Sequence, residues 1–407
     1  MRDSLGPGTQ VGYCTNVHAG ASWQEVRDNL ERYALAVKSQ VCPSDNLGVG
    51  LWLSARSARD IIEQQDVARF RDWLDDNGLT AYTFNGFPHG DFHEAIVKHK
   101  VYRPSWCAAE RVRYTLDLVE ILCGLLPEGG EGSISTLPLG WRGDLPNPAD
   151  LAHAAHNLLG VVDELERRER DTGKLLHLDL EPEPGCALDT VDDVCRFYRE
   201  HLLSSARGAG QTGSAGEDRV RRYLRICHDV CHAAVMFEDQ SKVLQQYRAA
   251  GILVGKVQIS SALSVRFDRM SPADRQRAAA QLRSFSEERY LHQTVVRHAD
   301  GTQSFYEDLP DALDSPCGTG GQNARGVWRV HFHVPVFSTG FGLLGTTQGD
   351  IIECLRTVRQ HHDVRHFEVE TYAWNVLPSE LRGTDLATGI ASELIWLRDH
   401  AAVESRA

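Results

Sequence analysis

The stretch R-I-C-H-D-V-C-H-A-A-V at 225–235 concentrates side chains that can bind a metal ion. Asp229 and His232 lie three residues apart, where a strand-like run changes to a helical pattern. A carboxylate and an imidazole that converge from such a junction suit a divalent cation such as Mn²⁺, Zn²⁺ or Co²⁺. The stretch therefore predicts that Asp229 and His232 are metal ligands, and a polar cluster without a metal remains an alternative.

Two further alternatives use the cysteines of the same stretch. A zinc site of Cys227 and Cys231 with the neighbouring histidines would need a second Cys/His pair at tetrahedral spacing, and none is evident. Covalent haem attachment requires C-x-x-C-H, whereas the chain has C-x-x-x-C-H. Both are weaker hypotheses than the carboxylate–imidazole pair.

Carboxylates also end two other apolar runs. HLDLEPEPG delivers Glu181, and Pro182 then marks the exit from the strand. HFEVETYAW places Glu368 and Glu370 on one face, with Glu370 nearer the end of the strand. A carboxylate buried at such a position must be paired, hydrogen-bonded or bound to a cation. We expect Glu181 and Glu370 to be site residues; backbone amides or an arginine could satisfy them instead.

Histidines and polar groups at other run ends complete the set of candidates. WRVHFHVPVF puts His331 and His333 on one face, which suits either metal ligands or hydrogen-bonding groups of a pocket. We take His333 as a candidate metal ligand. An arginine beside a tryptophan, as at Trp141-Arg142, could hold a phosphate or carboxylate while a ring stacks on the indole. The candidate substrate-binding residues are His18, Asn85, His89, Trp141, Arg142, Gln258 and His331.

The elements that must position these residues alternate along the chain. Short β-branched or apolar runs are separated by helical patterns, which indicates parallel βαβ units and predicts a (β/α)₈ TIM barrel in a single domain over 1–407. In such a barrel the active site lies at the carboxyl ends of the strands. Nine runs are strand-like, one more than a barrel needs.

The surplus run is assigned to an elaboration around 264–340. It includes an insertion over 264–327 after the seventh strand and a β-hairpin about the turn Asp300-Gly301. The Gly/Ser-rich segment 204–217 is predicted to be a flexible surface loop.

Composition narrows the classes of function. The 407 residues are 42% hydrophobic and 24% charged, so the chain can bury a large core. A net charge of −13 disfavours a nucleic-acid partner. The chain shows no apolar signal segment and no stretch long enough for a transmembrane helix, which predicts a cytoplasmic protein. The ten dispersed cysteines do not resemble a disulfide framework.

The combination of Glu181, D-x-x-H at 229–232 and Glu370 resembles the xylose-isomerase-like barrels, a superfamily of sugar-phosphate isomerases, epimerases and abasic-site endonucleases. More narrowly, YCTNVH, NGFPHGDFH, GSISTLPL, KVQISSAL, HFHVPVF and EVETYAW resemble the EboE family of metabolite-traffic proteins, over about residues 11 to 400.

The superfamily resemblance implies that Glu181 and Glu370 are both metal ligands and acid/base groups, and that Asp229 is a ligand. It also implies a histidine ligand on the seventh strand, where this chain has Gln258. A neutral amide is a poorer ligand than an imidazole. Either His333 replaces that ligand, or metal binding is weakened.

Three functions follow as hypotheses. The first is a sugar or polyol isomerase or epimerase that depends on Mn²⁺, Zn²⁺, Co²⁺ or Mg²⁺ and acts on a small metabolite. The second is a metabolite-binding or traffic protein on a degenerate barrel, for which the EboE resemblance implies membrane-bound pathway partners. The third is a phosphoesterase or an abasic-site nuclease.

Overall fold

A computed structural model describes residues 5–208, 213–316, 324–361, 364–378 and 385–403. The strands are, in chain order, β1 (Gln10–Cys14), β2 (Leu47–Leu51), β3 (Leu79–Asn85), β4 (Glu131–Thr136), β5 (Leu175–Leu180), β6 (Leu224–Asp229), β7 (Val254–Ile259), β8 (Leu263–Arg266), β9 (Thr294–Arg297), β10 (Gln303–Tyr306), β11 (Val327–Val330), β12 (Gly340–Phe341), β13 (Leu344–Thr346) and β14 (His366–Val369).

Eight of these strands close a parallel barrel. Neighbours follow chain order from β1 to β7, and β14 closes the ring between β7 and β1. The predicted (β/α)₈ barrel is therefore confirmed. Its strands are buried on both faces, because helices cover the outside and polar side chains fill part of the inside.

Helices connect the barrel strands and cover them. They are α1 (Trp23–Asn29), α2 (Leu35–Val41), α3 (Ala55–Glu63), α4 (Val67–Asp76), α5 (Ala109–Leu125), α6 (Pro148–Thr172), α7 (Val191–Phe197), α8 (Leu203–Gly208), α9 (Gly213–Tyr223), α10 (Val230–Val235), α11 (Gln240–Ala249), α12 (Pro272–Arg283), α13 (Leu309–Asp314), α14 (Gln348–His361) and α15 (Leu386–Val403). Local sequence sets several ends: Ser22 and Glu25 form a capping box before α1, and Gly173, at φ 69°, ends α6.

The segment of the chain between β7 and β14 forms a second sheet. Its six strands follow the order β10-β9-β11-β8-β13-β12 and run from residue 263 to 346, beyond the predicted 264–327. β9 and β10 pair as the hairpin predicted about Asp300-Gly301. The run at 328–337 supplies β11 to this sheet, so it is the surplus run. The chain after β11 returns to the barrel, where the Val334 amide donates to the Ser261 carbonyl.

The segment 204–217 differs from the predicted flexible loop. It contains most of α8 and the beginning of α9, and 209–212 lie outside the described residues. Helix α9 presents Arg219 to Asp163 of α6 at 2.5 Å, and such contacts favour helix over the Gly/Ser-rich local preference. The nine cysteines in the described ranges are free thiols. Within those ranges, no helix has both the length and the hydropathy needed to cross a bilayer.

Candidate metal centre

Three carboxylates converge at the carboxyl end of the barrel. Glu181 follows β5, Asp229 ends β6 and Glu370 follows β14. One oxygen of each lies within 4.8 Å of the others, and all three residues are buried. The structure thus brings together the three acidic residues predicted for the site.

Neutral amides hold two of these carboxylates in place. Gln258 Nε2 donates to Glu181 Oε1 at 2.9 Å and also to Glu370 Oε2. Asn16 and Asn85 donate to Glu370 Oε1 at 2.7 and 2.8 Å. Gln258, predicted to bind substrate, therefore bridges two carboxylates, and Asn16, two residues before the predicted His18, is the residue of the first loop that contacts Glu370.

Asp229 has two different roles at the end of β6. Its Oδ1 accepts from the His232 amide at 3.0 Å, which caps α10, and from the Ser260 hydroxyl at 2.7 Å. Its Oδ2 is buried without a hydrogen-bond partner and lies 4.0 Å from Nε2 of both His232 and His333. The D-x-x-H spacing thus forms a helix cap and also brings an oxygen and an imidazole nitrogen to one place.

Hydrogen bonds fix the tautomer that His232 and His333 have when their imidazoles are neutral. Nδ1 of His232 faces the Pro182 carbonyl at 2.9 Å, and Nδ1 of His333 faces the Glu370 carbonyl at 2.8 Å. A carbonyl only accepts, so each Nδ1 carries the hydrogen and each Nε2 keeps a lone pair. Both Nε2 atoms are therefore able to bind a cation.

His331 extends this arrangement. Gln293 Nε2 donates to the Glu183 carboxylate at 2.9 Å and to the Pro184 carbonyl at 3.2 Å, so the Gln293 amide oxygen is the group that faces His331 Nδ1, at 2.7 Å. His331 Nε2 then also keeps a lone pair. It lies 3.2 Å from the Nε2 lone pair of His333. Two such lone pairs need a proton or a cation between them, and two nitrogens that each lie ~2.1 Å from one zinc ion can be this close.

The electrostatics of the site follow from burial without a counter-charge. Burial raises the pKa of Glu370 well above its usual value, and Glu181 and Asp229 raise it further. Burial likewise raises the pKa of Glu181, with Asp229 adding to the shift. Burial opposes ionisation of Asp229 too, but His232 and His333 hold its pKa below its usual value. Burial lowers the pKa of His333 to about 4, so its imidazole is neutral near pH 7.

Unpartnered oxygens test whether the residues fit a cation. Four buried oxygens in this region lack a hydrogen-bond partner among the described residues: Asn16 Oδ1, Glu181 Oε2, Asp229 Oδ2 and Gln258 Oε1. Together with the imidazole lone pairs they form the oxygen and nitrogen set that Mn²⁺, Zn²⁺ or Co²⁺ accepts. The residues fit a divalent cation.

A cavity opens above the carboxylates. Its walls are mainly aromatic and aliphatic, and Glu183 and Tyr102 add a polar side. Tyr102 donates to Glu183 Oε1 at 2.7 Å. The lining residues are Asn16, Asn85, Phe87, Pro88, Phe92, Val97, Lys98, Val101, Tyr102, Glu181, Glu183, His232, Tyr290, Leu291, His331, His333, Glu370 and Tyr372.

Glu183, Tyr102 and Gln293 were not predicted from the sequence. The available signal was the spacing E-P-E, which puts Glu183 two residues beyond Glu181. Tyr102 and Gln293 lie 81 and 110 residues from Glu183, so only the folded chain relates them.

Four predicted substrate-binding residues lie away from this cavity. His18 Nε2 and the Tyr13 hydroxyl are hydrogen-bonded at 3.1 Å, and the His18 ring stacks on the Tyr33 ring. His89 packs against the Tyr114 ring. Trp141 packs against the Tyr102 ring, and Arg142 forms an ion pair with Asp189 at 2.6 Å. Asn85 and His331 do line the cavity.

The cysteines of the 225–235 stretch divide between two environments. Cys227 is buried on β6. Cys231 packs with Val235, Ala262 and Val295, yet its sulphur also lies within 4.8 Å of nitrogens of His331 and His333. Burial raises the pKa of the Cys231 thiol well above its usual value, and Asp229 raises it further. The thiol is therefore protonated when no metal is bound.

Comparisons with known proteins found distant structural similarity to this chain. No family model and no curated protein matches the chain. A magnesium-bound xylose isomerase-like TIM barrel protein from Mycobacterium smegmatis has 11% identity and a TM-score of 0.49, with 99% of each chain covered. The probable 3-DHS dehydratase of petrobactin synthesis from Bacillus anthracis has 13% identity and a TM-score of 0.48, covering 95% of this chain and 98% of its own. The zinc-bound IOLI protein has 11% identity and a TM-score of 0.45, covering 97% and 98%. The bound metals are properties of those proteins.

Proposed function

We propose that the protein is a divalent-metal-dependent isomerase or epimerase of a small hydroxylated metabolite. The observation that carries the proposal is the convergence of three buried carboxylates, Glu181, Asp229 and Glu370, beside imidazole lone pairs. Glu181 and Asp229 each keep one oxygen without a hydrogen-bond partner among the described residues. Burying such a set is costly unless protons or a cation neutralise it. A cation serves both the stability of the site and its chemistry.

The ligands come from two adjoining groups. Glu181, Asp229 and Glu370 form one group, and Asp229 with His232 and His333 forms the other. Asp229 is common to both, and its unpartnered Oδ2 is the atom nearest to the imidazoles. When bound, a divalent cation stabilises negative charge that develops on substrate oxygens.

Glu181 and Glu370 are the acid/base pair of this proposal. Burial keeps the pKa of each above its usual value, which suits a carboxylate that takes a proton from carbon and returns it near neutral pH. In the reaction, one carboxylate removes the hydrogen beside a carbonyl as a proton, and the electron pair moves to the carbonyl oxygen. Return of the proton to the opposite face of the same carbon restores the carbonyl and completes epimerisation. Its return to the neighbouring carbon, together with transfer of the hydroxyl proton to the former carbonyl oxygen, completes isomerisation.

Gln258 positions this pair. Its single amide group donates to one oxygen of each carboxylate, so the two carboxylates keep their separation without a cationic side chain. The rigid strands β5, β7 and β14 supply the three side chains, which limits reorganisation during the reaction.

A binding or traffic protein without chemistry is the second candidate. The hydrogen bonds of Glu370 favour this candidate, because both carboxylate oxygens already accept from amides of Asn16, Asn85 and Gln258. Membership of the EboE family, a cytoplasmic location and membrane-bound partners belong to this candidate as predictions. A nuclease or phosphoesterase has less support: the described lining contains one lysine, Lys98, which pairs with Asp308 at 2.7 Å, and no arginine.

Hydrogen exchange tests the proposal against the second candidate. Metal-reconstituted protein is incubated in deuterated water with hydroxyacetone, dihydroxyacetone and 2-hydroxyacetophenone, and loss of the C–H signal is followed by NMR. We expect exchange that requires metal, disappears in Glu181→Gln and Glu370→Gln, and persists in Glu238→Gln, a half-buried carboxylate that accepts from the Val191 amide and does not line the cavity. Tight binding of a hydroxy ketone without exchange would support the binding protein instead.

A further inference from the structure

We propose that the cavity selects a molecule without a phosphate group, in which an aromatic-sized apolar body is joined to a pair of neighbouring oxygens. The placement of the oxygens at the carboxylate end rests on the proposed function. The apolar body is inferred from the cavity walls, which are independent of the metal.

An aromatic wall begins directly beside the metal ligands. The ring of Tyr372 lies 4.7 Å from that of His333, between centroids. Tyr372, Tyr290 and Phe92 form a triangle with centroid separations of 5.0 to 5.4 Å. All three rings are buried and line the cavity. Edge and face contacts of this kind bind another ring or an apolar cyclic body.

The polar groups of the remaining wall are already satisfied by one another. Tyr102 donates to Glu183 and accepts from Gln293 at 2.7 Å. The Tyr290 hydroxyl donates to the Phe92 carbonyl at 3.1 Å. A sugar with hydroxyls along its whole length would displace water from those hydroxyls without replacing the hydrogen bonds, which disfavours its binding. The far end of the ligand is therefore apolar.

Charge excludes a phosphate at that far end. Phosphate sites use arginine forks or unpaired lysines. The described lining contains the carboxylates Glu181, Glu183 and Glu370, and its single lysine, Lys98, is paired with Asp308. The sequence predicted Arg142 as a residue that could bind a phosphate, but its guanidinium pairs with Asp189 and does not line the cavity. A phosphate at the far end would therefore meet no unpaired cationic side chain of the described lining.

The test compares three probes on the metal-loaded protein by isothermal titration calorimetry. They are 2-hydroxyacetophenone, dihydroxyacetone and dihydroxyacetone phosphate, which share the hydroxy-ketone group and differ in the attached body. We expect 2-hydroxyacetophenone to bind about tenfold more tightly than either of the others. Equal or tighter binding of the phosphate would overturn the inference.

Variants distinguish the contribution of the aromatic wall to ligand binding from the contribution of the metal. Phe92→Leu keeps an apolar residue but removes the ring, and we expect it to weaken 2-hydroxyacetophenone binding about fivefold while leaving dihydroxyacetone unchanged. Phe305→Leu, at an exposed ring outside the lining, is the matched control. Asp308→Asn, which frees Lys98, should strengthen binding of the phosphate alone. Equal loss for all probes in Phe92→Leu would show a folding defect rather than a specific wall, and would contradict the inference.

Failure of the two proposals can be told apart. If the protein holds a metal and exchanges hydrogen but prefers the phosphate, the substrate class proposed here is wrong and the proposed function stands. If the protein holds no metal yet prefers 2-hydroxyacetophenone in a manner that depends on Phe92, the proposed function is wrong and the apolar selection stands.

Discussion

The barrel interior contains two layers of buried carboxylates. Those of one layer pair with cationic side chains, and Glu370 of the other is hydrogen-bonded by neutral amides. In the lower layer Glu368 pairs with Lys256, and both side chains are fully buried. In the upper layer Glu370, two residues further along the same strand, has amides for neighbours and forms no ion pair with a lysine or arginine of the described chain. The same strand thus presents one carboxylate with its cation built into the protein and one without.

Packing confirms that the lower pair is a fixed part of the barrel. A Cβ added at Gly50 on β2 would overlap the Glu368 carboxylate, so the glycine provides the space for it. Nearby, His177 Nδ1 lies 2.6 Å from Asp179, and Arg225 pairs with Glu131 at 2.9 Å. The lower layer supplies cations from the chain itself, and this difference supports our proposal that the upper layer takes its cation from solution.

The largest expected effect is in the lower layer. Lys256→Met leaves Glu368 buried without its partner, and we expect the free energy of unfolding to fall by ~3–5 kcal/mol. Urea denaturation measures it. Lys256→Met combined with Glu368→Leu should recover most of the loss, because no buried charge is left. An unchanged stability in the single variant would remove the contrast between the layers.

Metal should stabilise the protein through the upper layer. At a Mn²⁺ concentration a hundred times Kd, we expect ~2.7 kcal/mol of added stability from binding to the folded state alone. Thermal unfolding with and without metal measures the effect. Glu181→Gln should lose it and Glu238→Gln should keep it; a gain that survives in Glu181→Gln would place the metal elsewhere.

The size of that stabilisation should depend on pH. In the metal-free protein the folded-state pKa of Glu370 is raised, first by burial and then by Glu181 and Asp229. Its contribution to stability is therefore present below the unfolded pKa and is lost as pH rises through the folded pKa. A cation displaces the proton, so metal affinity should increase with pH, by at most about tenfold per unit for each proton released.

Calorimetry in buffers of different ionisation enthalpy checks this expectation by counting released protons. We expect proton release on Mn²⁺ binding near neutral pH and a smaller release in Glu370→Gln. Binding without proton release would mean that Glu370 and Glu181 are already ionised, contrary to the account of the upper layer.

The smallest effect is expected for the neutral substitution of Glu370 itself. In the absence of metal, Glu370→Gln removes a carboxylate that burial disfavours, and the amide oxygen of the variant can still accept from Asn16 and Asn85. We expect the unfolding free energy at about pH 8 to rise by ~1 kcal/mol. A loss as large as that of Lys256→Met would show that the upper layer, too, relies on a partner within the chain.

Sequence patterns predicted the acidic part of the site because barrel topology places strand ends together. Glu181, Asp229 and Glu370 each follow an apolar run, so the closed barrel alone brings them to one rim. The lone pair of His333 that faces them could not be derived in the same way. It depends on how the second sheet returns the chain to the Glu370 carbonyl.

Two of the predicted substrate contacts do not line the cavity, for a related reason. Trp141 and Arg142 do follow β4, but the indole packs against the Tyr102 ring and the guanidinium pairs with Asp189. Loop direction depends on such tertiary contacts rather than on local spacing. The aromatic wall of Phe92, Tyr290 and Tyr372 comes from three distant segments and has no signature in the sequence.

The most direct test of the central claim is the metal content of the purified protein, measured by elemental mass spectrometry after reconstitution with Mn²⁺, Co²⁺ or Zn²⁺. Wild type is compared with Asp229→Ala and Glu181→Ala, with Glu238→Gln as the matched control. We predict stoichiometric divalent metal in the wild type and the control, and its loss in both alanine variants. A wild-type protein that stays free of metal with all three ions would contradict the account.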